Sequence, residues 1–530
     1  MTSRPGRGGR AYLAGGGIAS LAAAVFLVRD AGLDGPRVRI LEELPAAGGA
    51  LDGSGDPEGG YVTRGARMFE EEAFSCLWNL LDGIPSLTAP AKTVRQEIRE
   101  FNARSVTSSS ARLVGRDQEV LDAAELGLSL RDRVDGARLL ALPERVIGAR
   151  RIDDFFSGHF FSTRLWVMWR TMFGLQAWSS AIEFRRQILR FAHQLPAIHT
   201  LAGARHTEYN QYDSIVRPVC AWLAQRGVVI EYGVRVTDLD ISSRDGSRRV
   251  TRIRYERDGS PGAYDLGPED LAFVTLGSIT ADAAYGDDDH APELIRDKRD
   301  GAFRLWEAIA AKAPDFGRPH VFARNVDQTK WASFTLTMRS PLLLQHIERL
   351  SGNAPGTGGL MTFPDSGWLL SIAVPAQPHF PGQPDGVGTL WGYGLLTDQP
   401  GDYVPRKMSA ATGQDILAEL AGQLGCGADL DEIARTTTVI PVMMPYIVSQ
   451  FQPRQAGDRP RTVPRGAANF AFLGQFTEVP RDVVFTVEYS VRGAMHAVYT
   501  LLGVPNEIPG IYRGLADPKA AFQTLKAALR

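Results

Sequence analysis

Residues 10–31 read Arg-Ala-Tyr-Leu-Ala-Gly-Gly-Gly-Ile-Ala-Ser-Leu-Ala-Ala-Ala-Val-Phe-Leu-Val-Arg-Asp-Ala. A short apolar run enters Gly15-x-Gly17-x-x-Ser20, and an alanine-rich helix follows at once. A second apolar run, Val38-Arg39-Ile40-Leu41, ends on Glu42. Strand, glycine turn, helix, strand and acid in that order are the pattern of a dinucleotide-binding βαβ unit. Gly15 allows the tight turn, Gly17 lets the backbone approach a pyrophosphate, and the small Ser20 lets helix and strand pack closely. The helix N-terminus faces the phosphates, and Glu42 is placed to accept a ribose hydroxyl. A glycine-rich turn in an ordinary α/β domain leaves that acid unexplained.

Working outward, the chain predicts an α/β protein. Its dinucleotide-binding, Rossmann-like domain, which the loops described below assign to FAD, is expected to be discontinuous, with an inserted α+β substrate domain and a short helical C-terminal tail. Residues 1–95, 205–290 and 440–505 are expected to build the cofactor domain, 96–204 and 291–439 the substrate domain, and 506–530 the tail. The middle cofactor piece reads as a helix over 212–225, a strand over 228–232, then 234–239, where Val236 is placed beside the cofactor. Leu271-Ala272-Phe273-Val274-Thr275-Leu276-Gly277 and Phe470-Ala471-Phe472-Leu473-Gly474 read as further strands, the latter followed by a helix over 489–502. Ser243-Arg244-Asp245-Gly246 and Arg257-Asp258-Gly259 read as hairpin tips.

Composition bounds the function. At 530 residues the chain exceeds a single simple core. With 44% apolar residues, 58 Lys plus Arg and 60 Asp plus Glu, it has the balance of a globular enzyme and no field that points to nucleic acid. Three distant cysteines, Cys76, Cys220 and Cys426, argue against a disulfide framework and predict a reducing, cytoplasmic setting. The basic N-terminus, residues 1–10, lacks a cleavage site and is not read as a signal peptide. No apolar run approaches the roughly 18 residues of a membrane-spanning helix. No metal-ligand set is assigned.

Further cofactor signals follow the first unit. Gly48-Gly49-Ala50-Leu51-Asp52-Gly53 and Arg64-Gly65-Ala66-Arg67 offer backbone amides and positive charge for phosphates. Such extra loops suit a flavin, which runs extended through its domain. Gly49, Arg64, Gly65 and Arg67 are therefore candidate cofactor residues, as are Gly474, Gln475 and Phe476, which follow a strand and precede a helix. The segment 155–178 carries eight aromatics and reads as core, as the wall of a long apolar tunnel, or as both. Trp169 and Phe173 are its candidate substrate contacts.

The chain resembles the oleate hydratases, once called myosin-cross-reactive antigens. The resemblance rests on Gly17 through Leu27, Tyr209-Asn210-Gln211-Tyr212-Asp213-Ser214, Met443-Met444-Pro445-Tyr446, Gln450-Phe451, Gly457-Asp458-Arg459-Pro460, Phe472 through Phe476 and Phe485 through Arg492. It covers nearly the whole chain. It implies bound FAD, needed in reduced form without net redox change, and addition of water across an isolated cis double bond of a free unsaturated fatty acid. Isomerisation or dehydration at the double bond of an unsaturated fatty acid or lipid-like substrate stays open beside hydration, and the alternative is a flavin-dependent oxidoreductase acting on a lipid-like or polyketide-like substrate. The chain departs from the family pattern at three places. The family's Arg-Gly-Gly-Arg-Glu-Met reads Arg64-Gly65-Ala66-Arg67-Met68-Phe69 here, so Met68 stands at the carboxylate. A one-residue slip of the loop would bring Glu70 or Glu71 toward the site, although three acids at a helix start also suit a solvated face. The family's proton-donating tyrosine is replaced by Gln187, which cannot act as an acid, leaving Tyr209 and Tyr212 as nearby phenols. Of the Thr-x-Asn-x-x-x-His pattern that the resemblance assigns to the substrate carboxylate, only His379 survives, in Ala373-Val374-Pro375-Ala376-Gln377-Pro378-His379.

Two expectations concern partners. Phe522, Leu525 and Leu529 fall on one face of the tail, with Lys519, Lys526 and Arg530 beside them, a pattern that suits docking on the body, a second subunit or an anionic bilayer. A homodimer with peripheral membrane contact is thus compatible with the chain, and a small-molecule lipid is its expected substrate.

Overall fold

A computed structural model describes residues 8–528. Five parallel strands form the first sheet, in the spatial order Phe470–Leu473, Leu271–Thr275, Ala11–Ala14, Val38–Leu41 and Val229–Glu231. The sheet therefore gathers strands from residues that lie more than 450 positions apart, as a doubly wound nucleotide fold does. The alanine-rich helix Ile18–Arg29 packs against the helix Val487–Leu502, and Ile18 through Leu27 are buried. Being covered on all sides explains why this helix is apolar all round rather than amphipathic.

The second sheet is antiparallel, in the order Ala284–Tyr285, Thr437–Met444, Trp331–Met338, Gly388–Gly394, Leu370–Ala373 and Met361–Thr362. It takes strands from both sides of the predicted boundaries at 290 and 440, so those boundaries need correction: Thr437–Met444 is one unbroken edge-to-centre strand. The hairpin Ser54–Asp56 and Gly60–Val62 lies on this sheet, where the amides of Tyr61 and Thr63 donate to the hydroxyls of Thr337 (2.7 Å) and Thr335 (3.1 Å). A three-stranded meander, Val234–Arg244, Ser247–Arg257 and Ser260–Asp265, stands apart. Its two tips are the predicted ones: Asp245 and Gly246, then Asp258 and Gly259, all have positive φ, as two-residue hairpin turns require.

The predicted helix over 212–225 starts differently. Tyr212–Val216 is a wide π turn, and the α-helix Arg217–Gln225 follows. Pro218 supplies no amide to the turn before it, so the regular ladder is interrupted there. At the chain's end, the helix Pro518–Ala528 docks on the turn Ala192–Ala197, and Thr524 donates its hydroxyl to the Ala192 carbonyl at 2.9 Å. Phe522 and Leu525 stay exposed, whereas Leu529, Arg530 and residues 1–7 lie outside the described residues. Among the described residues, no helix is long and apolar enough to cross a membrane.

Candidate functional site

The first glycine turn and eight other segments line a cleft of about 1240 Å³. Gly15 has φ +89 and donates its amide to the Leu41 carbonyl at 2.8 Å, closing the turn over the strand ends. Gly17 caps the following helix and sits against Gly49, whose own φ is +59. Glu42 is buried and accepts the amides of Gly16 and Leu44. Burial raises its carboxyl, against those two amide hydrogen bonds. A side chain at residue 16 would begin 2.7 Å from that carboxylate, which leaves glycine as the residue that fits. Val236, Gly474 and Gln475 also line the cleft. Gln475 pins the loop before the helix Val487–Leu502, donating to the Thr486 carbonyl at 3.1 Å and accepting the Phe485 amide. Ser20 does not line the cleft; its hydroxyl meets that of Thr275 at 3.1 Å and closes the helix onto the sheet. Phe476 is corrected from cofactor contact to core, packed with Phe303, Trp306 and Phe322.

The two arginines of the Arg64-Gly65-Ala66-Arg67 loop do different work. Arg64 is spent on protein: it pairs with Asp52 at 2.6 Å and donates to the Gly49 and Thr280 carbonyls. It thereby fixes the loops. Arg67 makes no ion pair among the described residues and has one bond, to the Gly65 carbonyl at 3.3 Å. Burial pushes its guanidinium down to about 10. Arg67 is half-buried, and a cation held partly out of water without a partner is costly, so an anion beside it is the natural partner.

Arg67, Ile279, Phe485 and Val487 form a common wall between the cleft and a second cavity of similar size, about 1380 Å³. This one is apolar. Trp169, Phe173, Phe191, Ile198, Leu201, Trp331, Trp391 and Tyr393 contribute to its lining, with Gly65 and Met68 at the loop end. The aromatic segment thus divides: Phe156, Phe160 and Trp166 pack with Phe184 in the core, while Trp169 and Phe173 face the cavity. Gln187 is buried outside the lining and accepts the Trp169 indole N–H at 3.1 Å, so it holds the wall rather than reaching the interior.

Among the described residues, one carboxylate lines this cavity. Glu70 accepts the Ala73 amide and hydrogen bonds at 3.1 Å with His193 Nε2 and at 3.1 Å from Gln194. Burial raises its carboxyl, but the hydrogen bonds from His193, Glu72 and Ala73 outweigh this and hold it below the usual range. Its hydrogen bond with Glu72, together with burial, raises the exposed Glu72, so the pair retains one proton near neutrality. Glu70, Glu72 and His193 each bring a ligand-type atom within 4.8 Å of the others. Glu71 turns the other way: contrary to the slipped-loop alternative, it pairs with Arg95 at 3.0 Å and Arg99 at 2.6 Å. Tyr209 and Tyr212 line neither large cavity. The phenol that does is Tyr393, bonded to the Thr171 carbonyl and raised by burial to about 12. A two-residue alternation in Gly388–Gly394 puts Trp391 and Tyr393 on one face, a pattern present in the sequence itself. His379 lines a third, smaller cavity that shares a wall with the apolar one.

Comparison with known proteins agrees with this architecture. The chain is 39% identical over 518 residues to "Oleate hydratase" of Streptococcus pyogenes serotype M49 (strain NZ131), covering 96% of this chain and 87% of that protein. It is 30% identical over 563 residues to "Linoleate hydratase" of Lactiplantibacillus plantarum, covering 98% of each. Among solved structures, an oxidoreductase from Methanosarcina mazei superposes with a TM-score of 0.50 at 14% identity, covering 92% of this chain and 99% of that one, a likeness of fold. Residues 9–499, which include every strand of both sheets, match the model of the MCRA family, and the chain belongs to that family.

Proposed function

We propose that this protein is a fatty acid hydratase that binds FAD in the glycine-lined cleft and adds water across a carbon–carbon double bond in the adjoining apolar cavity. The observation that carries this reading is the shared wall at Arg67, Ile279, Phe485 and Val487, which sets a nucleotide-type cleft against a lipid-sized apolar space. The hydratases of Streptococcus pyogenes and Lactiplantibacillus plantarum support the reaction class. The cleft residues fit the cofactor: Gly15, Gly17 and Gly49 leave room for a phosphate backbone, Glu42 suits a ribose hydroxyl, and Arg67 offers an uncompensated charge. Bound FAD would supply electrostatic support beside the cavity.

Hydrating an isolated alkene develops carbocation-like charge, so the site must deliver a proton to one carbon and hydroxide equivalent to the other. Glu70 is the group placed to orient water and accept its proton, in a wall otherwise dominated by apolar side chains. Glu72, sharing a proton with Glu70 and open to solvent, is placed to restore protons to the pair. The balance is one water consumed: the proton held by the Glu70–Glu72 pair goes to one carbon, water's hydroxyl goes to the other and water's remaining proton returns to the pair, so one C–H and one C–O bond form and no electron is transferred. The apolar walls exclude bulk water, which strengthens the carboxylate's field at the reacting carbons.

The test is incubation of the protein with FAD, dithionite and cis-unsaturated fatty acids in ¹⁸O-water, with mass spectrometry of the products. A hydroxy acid carrying the label is expected. Product formation matched by flavin turnover and lacking the label would instead establish a flavin oxidoreductase. Contact with a bilayer through the tail is part of the proposal, because Phe522 and Leu525 are exposed beside Lys519 and Lys526. Liposome binding is expected to drop when residues after Asp517 are removed, and unchanged binding would end that part.

A further inference from the structure

The C-terminal segment reaches the carboxylate of the apolar cavity through a single ring. Glu70 meets the side-chain nitrogens of His193 and Gln194 on one oxygen, each at 3.1 Å, and takes the Ala73 amide on the other. Both of those side chains stand on the turn Ala192–Ala197. The tail holds that turn: the helix Pro518–Ala528 packs along it, and Thr524 donates to the Ala192 carbonyl at 2.9 Å. Arg190, just before the turn, ties tail and loop together. It donates to the Tyr512 carbonyl at 3.2 Å and to the carbonyl of Ala73.

Packing fixes the far side of the His193 ring. An ionised carboxylate only accepts, so Nε2 donates to Glu70. Nδ1 is buried and has no hydrogen-bond partner among the described residues. A histidine that orients another group is ordinarily anchored at its second nitrogen by a carbonyl or carboxylate. Here Tyr512 meets the ring edge-on, with centroids 4.9 Å apart and planes at 77°. Gly514 lies against Nδ1: a Cβ there would overlap that nitrogen and sit 2.9 Å from the ring carbon Cγ. The close approach requires glycine, although Gly514 lines neither the cleft nor the apolar cavity.

Burial in an apolar wall favours a protonated carboxyl, and the hydrogen bonds from His193, Glu72 and Ala73 keep Glu70 ionised against it. The other titratable groups around the ring are Glu72 on the loop of Glu70, Arg190 on the preceding helix, and Tyr512 and Asp517 on the tail. Without the His193 bond, the proton carried by Glu72 would move toward Glu70 and disable it as a base.

We propose that His193 is the positioning residue for Glu70, and that the C-terminal segment sets its ring through Tyr512 and Gly514. The proposal rests on the reading of Glu70 as the group that accepts a proton from water. It gives the tail a part in turnover, although no residue from 512 to 528 lines the cleft or the apolar cavity.

The test compares wild type with His193→Ala, His193→Gln, Gly514→Ala and Glu70→Gln. Each is measured for kcat, KM and pH profile on oleic acid with FAD and dithionite, and for thermal melting, and Gly514→Ala is also crystallised. His193→Ala is expected to lower kcat about 10- to 100-fold, the strength of one hydrogen bond to a charged group, with KM changed less than about twofold. The acidic limb of its pH profile moves up by about one unit, because a carboxyl released from His193 takes its proton at higher pH and then accepts none from water. Gly514→Ala reproduces both changes, with the ring displaced from Glu70 in the crystal. His193→Gln can still donate and recovers part of the turnover. An unmoved pH limb, wild-type kcat in His193→Ala or Gly514→Ala, or a loss that follows the melting temperature without relief by His193→Gln would overturn the proposal. So would a Gly514→Ala crystal structure in which His193 still bonds Glu70, a readout that stands even where oleic acid is not turned over. Retained turnover in Glu70→Gln would bring down the reading of Glu70 and this proposal with it. Lost turnover there, beside wild-type behaviour of His193→Ala and Gly514→Ala, would bring down this proposal alone.

Discussion

The glycine-lined cleft and the apolar cavity share a wall but are made in opposite ways. The cleft's central features are local: Gly15, Gly17 and Glu42 fall within 28 consecutive residues, and their roles follow from backbone geometry. The cavity takes Met68 and Glu70 from one loop, Trp169 and Phe173 from a helix, Trp391 and Tyr393 from a distant strand, and Phe485 from the turn before the last long helix. A cleft built on backbone tolerates few changes of residue type. A cavity built on side chains can exchange its chemistry while keeping its shape. That contrast accounts for a chain that keeps the cofactor pattern yet has Met68 and Gln187 where the family resemblance expects a carboxylate and a phenol.

The comparison breaks most directly at Glu70. Glu70→Gln keeps shape and removes the carboxylate, so turnover is expected to fall about 10²–10⁴-fold while the flavin spectrum stays unchanged. Retained turnover would place the chemistry elsewhere. The converse variant is Gly16→Val. Its Cβ would lie 2.7 Å from Glu42, and overpacking of this kind is expected to weaken flavin binding at least about tenfold, read as flavin absorbance after purification. The cavity's ability to bind fatty acid is expected to survive that change.

A pH profile sharpens the contrast. A carboxyl raised to about 7 keeps its proton below that value and loses it above, so kcat is expected to decline as pH rises through the Glu72 transition. Glu72→Gln should flatten that limb, and a profile unaffected by the substitution would remove Glu72 from proton supply. The smallest effect belongs to Glu71→Gln. Its pairs with Arg95 and Arg99 are partly exposed, so less than about 1 kcal/mol of stability and no change in turnover is expected.

By itself the sequence determined the nucleotide unit, the two hairpin tips, the strands at 271 and 470 and the family, because each follows from short-range spacing or from long runs of matching residues. It also placed Glu70 among the alternatives for the missing carboxylate. Which of Glu70 and Glu71 lines the cavity needed the tertiary structure: adjacent residues diverge, and the position of helix Val94–Arg104 with Arg95 and Arg99 draws Glu71 outward. Phe476 read as a cofactor contact because it follows Gly474, yet its ring meets the aromatic cluster at Phe303. Tyr393 and His193 gained their places only through packing. Which side chains share a cavity depends on how distant strands, helices and loops close on one another, and no spacing along one chain records that.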